Sequence, residues 1–402
     1  MSDRVALRAV ALQFWINGVI FASFIPRLPE IRRQLDLGLD EIGLLLTLGS
    51  LGGLVGSAVS APAVARLGTR WAMTAGAAGL VITLPLIGVA QTPLVFMIGL
   101  ALLHAFDVVT DVAMNIQGSR LSARRSHPVM SRLHGLWSVG TVFGGLGAVW
   151  AAGRVPLDVH LAAVAVVLAV MVLYVSPRLL RSDEVQPEPI LDAPGPPAAA
   201  GDATVAGPSP REPSPRRSWR ASPIGFAVFA VAALAVELIP ADWSSLRLSV
   251  DVDASETTAG LGYLAVTVGM VVGRFSGDEL VVRWGRNGLL LRATVLAGVG
   301  MVVAGLAPTS PLALAGFVVV GLGASAMFPQ LYDAAASAPG RGSALLSALT
   351  AGIRVGAFLL PVTVGWLADQ PGLTVGQAMI AVVVPAAIVL GVSAVTGKDA
   401  HH

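Results

Sequence analysis

The stretch LAAVAVVLAVMVLYV, residues 161–175, runs for fifteen positions without a charged side chain. A helix that crosses a bilayer needs about 20 mostly apolar residues, and this run with its flanks supplies nearly that. Working outward, the same signature recurs in LPLIGVA (84–90), LALAGFVVVGLGA (312–324) and MIAVVVPAAIVLGVSAV (379–395). Over the whole chain 55% of residues are hydrophobic, 12% are charged, and the mean hydropathy is +0.76. Soluble domains carry about 25% charge, so the sequence reads as an all-α integral membrane protein. Cysteine is absent, which removes disulfides, thiolate nucleophiles and cysteine metal sites. No cofactor and no metal are expected. The opening MSDRVALRAV leads into a long apolar segment without a small-residue cleavage site, so it reads as a retained first helix.

A span-length window places twelve transmembrane helices at 8–26, 42–63, 71–90, 94–117, 129–152, 158–176, 223–246, 258–281, 288–306, 311–334, 343–367 and 375–395. Cytoplasmic loops collect arginine and lysine. With the N-terminus inside, the inner side takes Arg4, Arg8, Arg66, Arg70, Arg120, Arg124, Arg125, Arg132, Arg178 and Arg181. It also takes the 211–220 cluster, Arg274, Arg283, Arg286, Arg292, Arg341 and Lys398. The outer side keeps Arg27, Arg32, Arg33, Arg154 and Arg247, and both termini fall inside.

Residues 183–219 break the pattern, being rich in Pro, Ala and Gly with no apolar periodicity. Such a segment buries too little surface to offset its ordering entropy, so it is expected to be a disordered cytoplasmic linker. It divides the chain into an N-terminal six-helix half, 1–182, and a C-terminal half, 220–402. A shift of 217 maps Gly43 onto Gly260, Gly52 onto Gly269, Gly56 onto Gly273, Arg66 onto Arg283 and Gly68 onto Gly285. One further step aligns AQTPL (90–94) with APTSPL (307–312). Six plus six helices related by pseudo-two-fold symmetry suit a transporter built from repeats, with its solute site near the midplane. Small residues recur every fourth position at Gly52, Gly56 and Ser60, and again at Gly269, Gly273 and Gly277. That spacing permits close helix packing in lipid, either as static packing or as a surface on which the halves rock.

The most unusual polar residues lie in segment 94–117. At about 100° per residue, His104, Asp107, Asp111 and Asn115 share an arc of about 80°. An aspartate at the bilayer centre costs about 2.5–3.5 kcal/mol on insertion scales, so a cavity or a partner is required. With the extra alignment step, the equivalent helix offers Leu322, Ser325, Pro329 and Asp333, and the pair is therefore not demanded by the fold. Gln13 and Asn17 share a face of the first segment, and Glu237, Gln330 and Arg354 lie at similar depth. Arg354 needs an anion, with Glu237, Asp107 and Asp111 as candidates. A carboxylate exchanging an arginine for a proton would couple transport to protons, whereas a static ion pair would only fix packing. Asp107, Asp111, Glu237 and Arg354 are thus the proton-coupling candidates. Asn17, Gln13, His104, Asn115, His134, Trp137 and Gln330 are the substrate-binding candidates. Trp15 and Trp243 serve equally as pocket walls or interfacial anchors.

Four stretches carry a family likeness: IPRLPEIRRQLDLGLDEIGLLL (25–46), DVAMNIQGSRLSARRSHPVMSRLHGLWSVG (111–140), ELIPADWSSLRL (237–248) and GRFSGDELVVRWGR (273–286). In order and spacing the chain resembles the major facilitator superfamily, and within it the fucose-permease-like branch of bacterial inner-membrane permeases. The family's loop motif survives in part as ARLGTR, with Arg66, Gly68 and Arg70 in place but Ala65 where an aspartate is usual. Its second copy keeps Arg283 and Gly285, with Val282 at that position. The proline-containing glycine motif of drug antiporters is missing from SVGTVFGGLGA (138–148). The resemblance implies alternating access, an inner-membrane location and a proton-linked acid at Asp107 or Asp111.

The expected function is secondary active transport, proton-coupled, of a small polar or sugar-like solute. The alternatives are export of amphipathic compounds and a solute sensor that moves nothing. An enzyme is disfavoured by the lack of GxSxG, HExxH or a thiol. The pattern Gly321-Leu-Gly323-Ala-Ser-Ala326 has no preceding strand and does not read as a dinucleotide fingerprint. Scattered single polar residues argue against a channel filter. Expected partners are the solute, protons and the lipid bilayer; no nucleic acid is expected, and the chain is expected to be monomeric.

Overall fold

The computed structural model describes residues 3–124, 129–181, 222–336 and 341–396; the expected linker at 183–219 lies outside them. The described residues form α1 (Asp3–Ala22), α2 (Leu28–Gln34), α3 (Leu39–Ser50), α4 (Gly52–Gly88), α5 (Pro93–Arg124), α6 (Met130–Ala151) and α7 (Leu157–Val175). From residue 222 onward come α8 (Pro223–Asp251), α9 (Glu256–Leu306), α10 (Ser310–Ala324), α11 (Met327–Ala336), α12 (Gly342–Ala368) and α13 (Val375–Thr396). Among the described residues, ten helical runs are long and apolar enough to cross a membrane.

The ten runs cover eleven of the twelve sequence segments. Segments 42–63 and 71–90 lie in the continuous stretch Leu39–Gly88 and are parted at Gly68, whose φ of 74° takes the chain out of helix. Helix α9 is broken in the same way at Gly285, φ 68°. Helix α6 has 22 residues, but His134 and five glycines dilute its hydropathy, and it is not among the ten. The expected single helix 311–334 is interrupted between α10 and α11 at 325–326. Pro329 explains this break, because its ring collides with the carbonyl four residues earlier, that of Ser325.

The internal repeat is visible in backbone detail. Positive φ recurs 217 residues apart, at Asp36 and Asp253 (52° and 53°) and at Gly68 and Gly285. A Cβ on Gly52 would meet the Ala101 carbonyl, and one on Gly269 would meet that of Val318. Gly56 and Gly273 likewise face the carbonyls of Ala105 and Leu322. Each pair keeps the 217 shift, so the extra step used in the sequence alignment is not followed here. His104, Asp107, Asp111 and Asn115 correspond instead to Gly321, Ala324, Phe328 and Tyr332. These glycines pack helices within one half, so for them static packing is the reading the contacts favour.

Contacts between the halves gather at one end. Gly43 of α3 lies against Pro361 and Gly365 of α12, while Gly145 of α6 lies against Leu264 and Tyr263 of α9. At the rim Arg33 pairs with Glu256 at 2.6 Å, and Thr257 donates to the Ala152 carbonyl at 3.0 Å.

The glycine contacts give a direct test. Overpacking a tight core costs about 1–3 kcal/mol, and we expect Gly52→Val to lower the melting temperature in detergent clearly. Gly147 has open space around it, so Gly147→Ala should be neutral or stabilising by up to about 1 kcal/mol. Equal melting temperatures for both variants would show that the Gly52–Ala101 approach is not tight.

Candidate functional site

Between the halves lies a cavity of about 1180 Å³. Its walls include Asn17, His104, Asp107, Asp111, His134, Trp137, Glu237, Gln330 and Arg354, nine of the residues singled out from sequence. On α1 and α5, Asn17 Nδ2 donates to Asp107 Oδ1 at 3.0 Å. The Asn17 side-chain oxygen Oδ1 is buried with no hydrogen-bond partner among the described residues. One turn along α5, Asn115 Nδ2 donates to the Asp111 carboxylate and to its backbone carbonyl, both at 2.9 Å. Asn115 therefore orients Asp111 from behind rather than lining the cavity. The His104 ring is fixed by its Nδ1 contact with the Leu100 carbonyl at 2.8 Å and by an edge-on contact with Phe21. His134 meets Phe14 edge-on.

The ion pairing differs from the sequence expectation. Arg354 has none of its candidate carboxylates within ion-pair distance; it donates to Ser57 Oγ of α4 at 2.7 Å. Glu237 is paired with Arg274 of α9 at 3.1 Å, and Arg274 also reaches Ser138 Oγ of α6 at 3.4 Å. The charge count on the inner loops had included Arg274, yet the structure sets it in the cavity wall. The available signal was its place inside segment 258–281. Both arginines come from the C-terminal half and both serines from the N-terminal half, so each seam carries an Arg-to-Ser hydrogen bond.

Asp242 was overlooked. It lines the cavity five residues after Glu237, and among the described residues no hydrogen bond or ion pair holds its carboxylate. The signal was a second acid within one apolar helix. Trp243 is fully buried, which excludes the interfacial anchoring considered for it. Trp15 lines a separate lateral groove. Gln13 is buried, its Nε2 without a partner among the described residues, and does not line the cavity.

The loop-motif residues are remote from the cavity. Arg66 and Arg283 are exposed, and Gly68 and Gly285 form the two breaks. Arg70 donates to the Ser176 carbonyl at 3.0 Å and stacks over Trp71, tying α4 to the end of α7. Beneath it the buried Gln117 bonds Thr69 and both backbone groups of Leu180.

A model of the Major Facilitator Superfamily matches residues 10–240. The chain belongs to this superfamily. An uncharacterized MFS-type transporter of Yersinia pestis is 29% identical over 385 residues, covering 95% of this chain and 93% of that one. Membrane protein MosC of Rhizobium meliloti is 27% identical over 338 residues, covering 83% and 76% respectively. Among solved structures, a mutant of the nucleoside transporter NupG aligns with a TM-score of 0.75 at 12% identity, over 98% of this chain and all of that one. A bacterial homolog of the human lysosomal transporter Spinster, inward-facing and unoccupied, aligns at 0.69 and 14% identity, covering 98% and 97%. The fold is thus that of a major facilitator transporter, and the chain is a multi-pass membrane protein of a secondary-transporter family.

The Glu237–Arg274 pair is testable by itself. Both side chains are partly screened, so removing one partner should cost less than the about 3–5 kcal/mol of a fully buried pair. We expect Arg274→Gln to lower the melting temperature and Glu237→Gln, added to it, to restore part of the loss. Additive losses in the double variant would show that the two groups do not interact.

Proposed function

We propose that this chain is a proton-coupled transporter that moves a small polar or sugar-like solute by alternating access. The observation that carries the reading is the pair of cavity carboxylates, Asp107 and Asp111, whose hydrogen-bonding side chains are neutral amides. An amide presents a donor on one side and an acceptor on the other. Asn17 donates to an ionised Asp107; turned over, its carbonyl accepts from a protonated one. Each acid can therefore be held in either state without a permanent counter-ion, as a proton carrier requires.

Arg354 supplies the link to conformation. It is held across the α4–α12 seam by Ser57. Opening that seam frees its guanidinium to approach Asp107 and Asp111, and a nearby cation favours proton release from a carboxylic acid. In this reading twelve helices span the bilayer in two six-helix halves, 1–182 and 220–402. The 183–219 linker and both termini are cytoplasmic, in a bacterial inner membrane, and the chain acts as a monomer. The fucose-permease-like motifs support the polar solute class. Asp242, Gln330, Trp137 and His134 furnish the mixture of hydrogen-bonding groups and flat rings that such a solute needs.

The coupling is tested with protein in liposomes that enclose a pH dye. Adding an external sugar from a panel should acidify the lumen, and Asp107→Asn or Asp111→Asn should abolish the signal. A silent dye while labelled solute still crosses would sink the proton assignment. Alkalinisation driven by amphipathic cations would make the protein an exporter.

Alternating access is tested at the closed end, where the chain's lack of cysteine gives a clean background. Leu264, buried beside Gly145, can carry a single reporter cysteine. An exposed ion pair contributes at most about 1 kcal/mol, so Glu256→Gln should raise its labelling rate by no more than about fivefold. An unchanged rate would mean that the Arg33–Glu256 pair does not hold this end shut.

A further inference from the structure

A second cavity, about 680 Å³, lies on the flank of the N-terminal half, apart from the central one. Its floor and walls are Leu12, Trp15, Leu136 and Met171, and its end is set by two arginines, Arg8 and Arg178. Helix α1 contributes residues 5–15, α6 contributes Leu136, and α7 with its terminal turn contributes Met171, Tyr174 and Arg178. Leu136 and Tyr174 are more than a third exposed, so the groove opens sideways from the bundle.

The two arginines are placed differently. Arg178 is fixed: its guanidinium lies 3.8 Å from the Tyr174 ring centroid and donates to the Tyr174 carbonyl at 2.6 Å. Neither contact supplies an anion. Arg8 is exposed, and no carboxylate within ion-pair distance holds it among the described residues. Trp15 lies seven residues further along α1, about 10 Å at 1.5 Å per residue. The groove is thus cationic at one end and apolar for the next two turns, in a protein surrounded by lipid.

We propose that this groove binds one anionic phospholipid, with its phosphate between Arg8 and Arg178 and an acyl chain along Leu12, Trp15, Leu136 and Met171. The charge complements an anionic headgroup, because guanidinium forks pair with phosphate oxygens. The apolar length below it complements a hydrocarbon chain. A zwitterionic lipid brings its own cation to the same place and is disfavoured there.

The test uses the full-length protein in nanodiscs of mixed phosphatidylglycerol and phosphatidylcholine, with retained lipid counted by native mass spectrometry after detergent extraction. Wild type should retain one phosphatidylglycerol in preference to phosphatidylcholine. Each of Arg8→Gln and Arg178→Gln should reduce that preference about fivefold, at about 1 kcal/mol per arginine. Arg32→Gln, which removes an arginine far from the groove, should leave it unchanged. Because Arg178 also stacks on Tyr174, Arg8→Gln is the deciding variant. Equal retention of both lipids, or a preference that survives Arg8→Gln, overturns the assignment. A photo-crosslinker at Leu136 should capture lipid; capture of residues 182–221 would give the groove to the chain's own linker and likewise overturn it.

Discussion

The close approach of Gly43 to Gly365, backbone against backbone, is the contact on which the shape of the central cavity depends. Side chains at either position would hold α3 and α12 apart and leave the closed end unsealed. The related position Gly260 faces Val149 and Pro26 across the other seam, so both seams are tight where they seal. Apolar packing gains little between helices in lipid, because lipid tails are as apolar as the partner helix. Geometry and hydrogen bonds must do what water-driven association does in soluble proteins. That is why the sealing contacts fall on glycines and why a few polar ties, Arg33 to Glu256 and Thr257 to Ala152, guard the rim.

The same constraint sorts the charges. Arg27 and Arg247 are almost wholly buried, and each is answered by carbonyls and an acid near a helix end. Arg27 bonds Glu30 and the Val155 carbonyl; Arg247 bonds the Gly305 and Ala307 carbonyls and faces Asp251. Asp251 in turn accepts from the backbone N–H groups of Val375 and Gly376 at the start of α13. These are brackets that hold loops to helix ends. The cavity acids are of another kind: Asp107 and Asp111 rest on amides, and Asp242 on nothing among the described residues. The buried bracket charges each meet an opposite charge, as Glu237 and Arg274 do in the cavity wall, whereas Asp107, Asp111 and Asp242 have no ion-pair partner among the described residues.

Much of this was legible in the chain and some was not, for identifiable reasons. The 217-residue repeat could be read because glycines at close helix crossings cannot be replaced freely, and the polar arc of His104, Asp107 and Asp111 because helical periodicity alone puts it on one face. The partner of Arg354 could not be read. Its serine lies 297 positions earlier in the chain, and periodicity reports which face a residue occupies, not which helix that face meets. Arg274 was misplaced because counting arginines for topology treats every one near a helix end as a loop residue. The break at 325–326 was within reach, since Pro329 announces it.

The repeat also shows where function departs from fold. At the 217 shift, Asp107 and Asp111 correspond to Ala324 and Phe328, and Arg354 corresponds to Trp137. Arg274 corresponds to Ser57, the residue that receives Arg354. Gly43, Gly52, Gly56 and Gly68 keep their identity through the repeat, although Gly365 corresponds to Ala148, while each of these cavity positions changes type. The acids that rest on amides sit in the first half, and the arginines that cross the seams sit in the second. The second half carries Glu237 and Asp242 as well, and Arg274 is paired with Glu237, so among the described residues Arg354 is the cavity arginine with no carboxylate at ion-pair distance. Ala324 and Phe328 put apolar side chains where a strictly symmetric cavity would add two more acids, so the carboxylate pair of α5 has no copy in the second half.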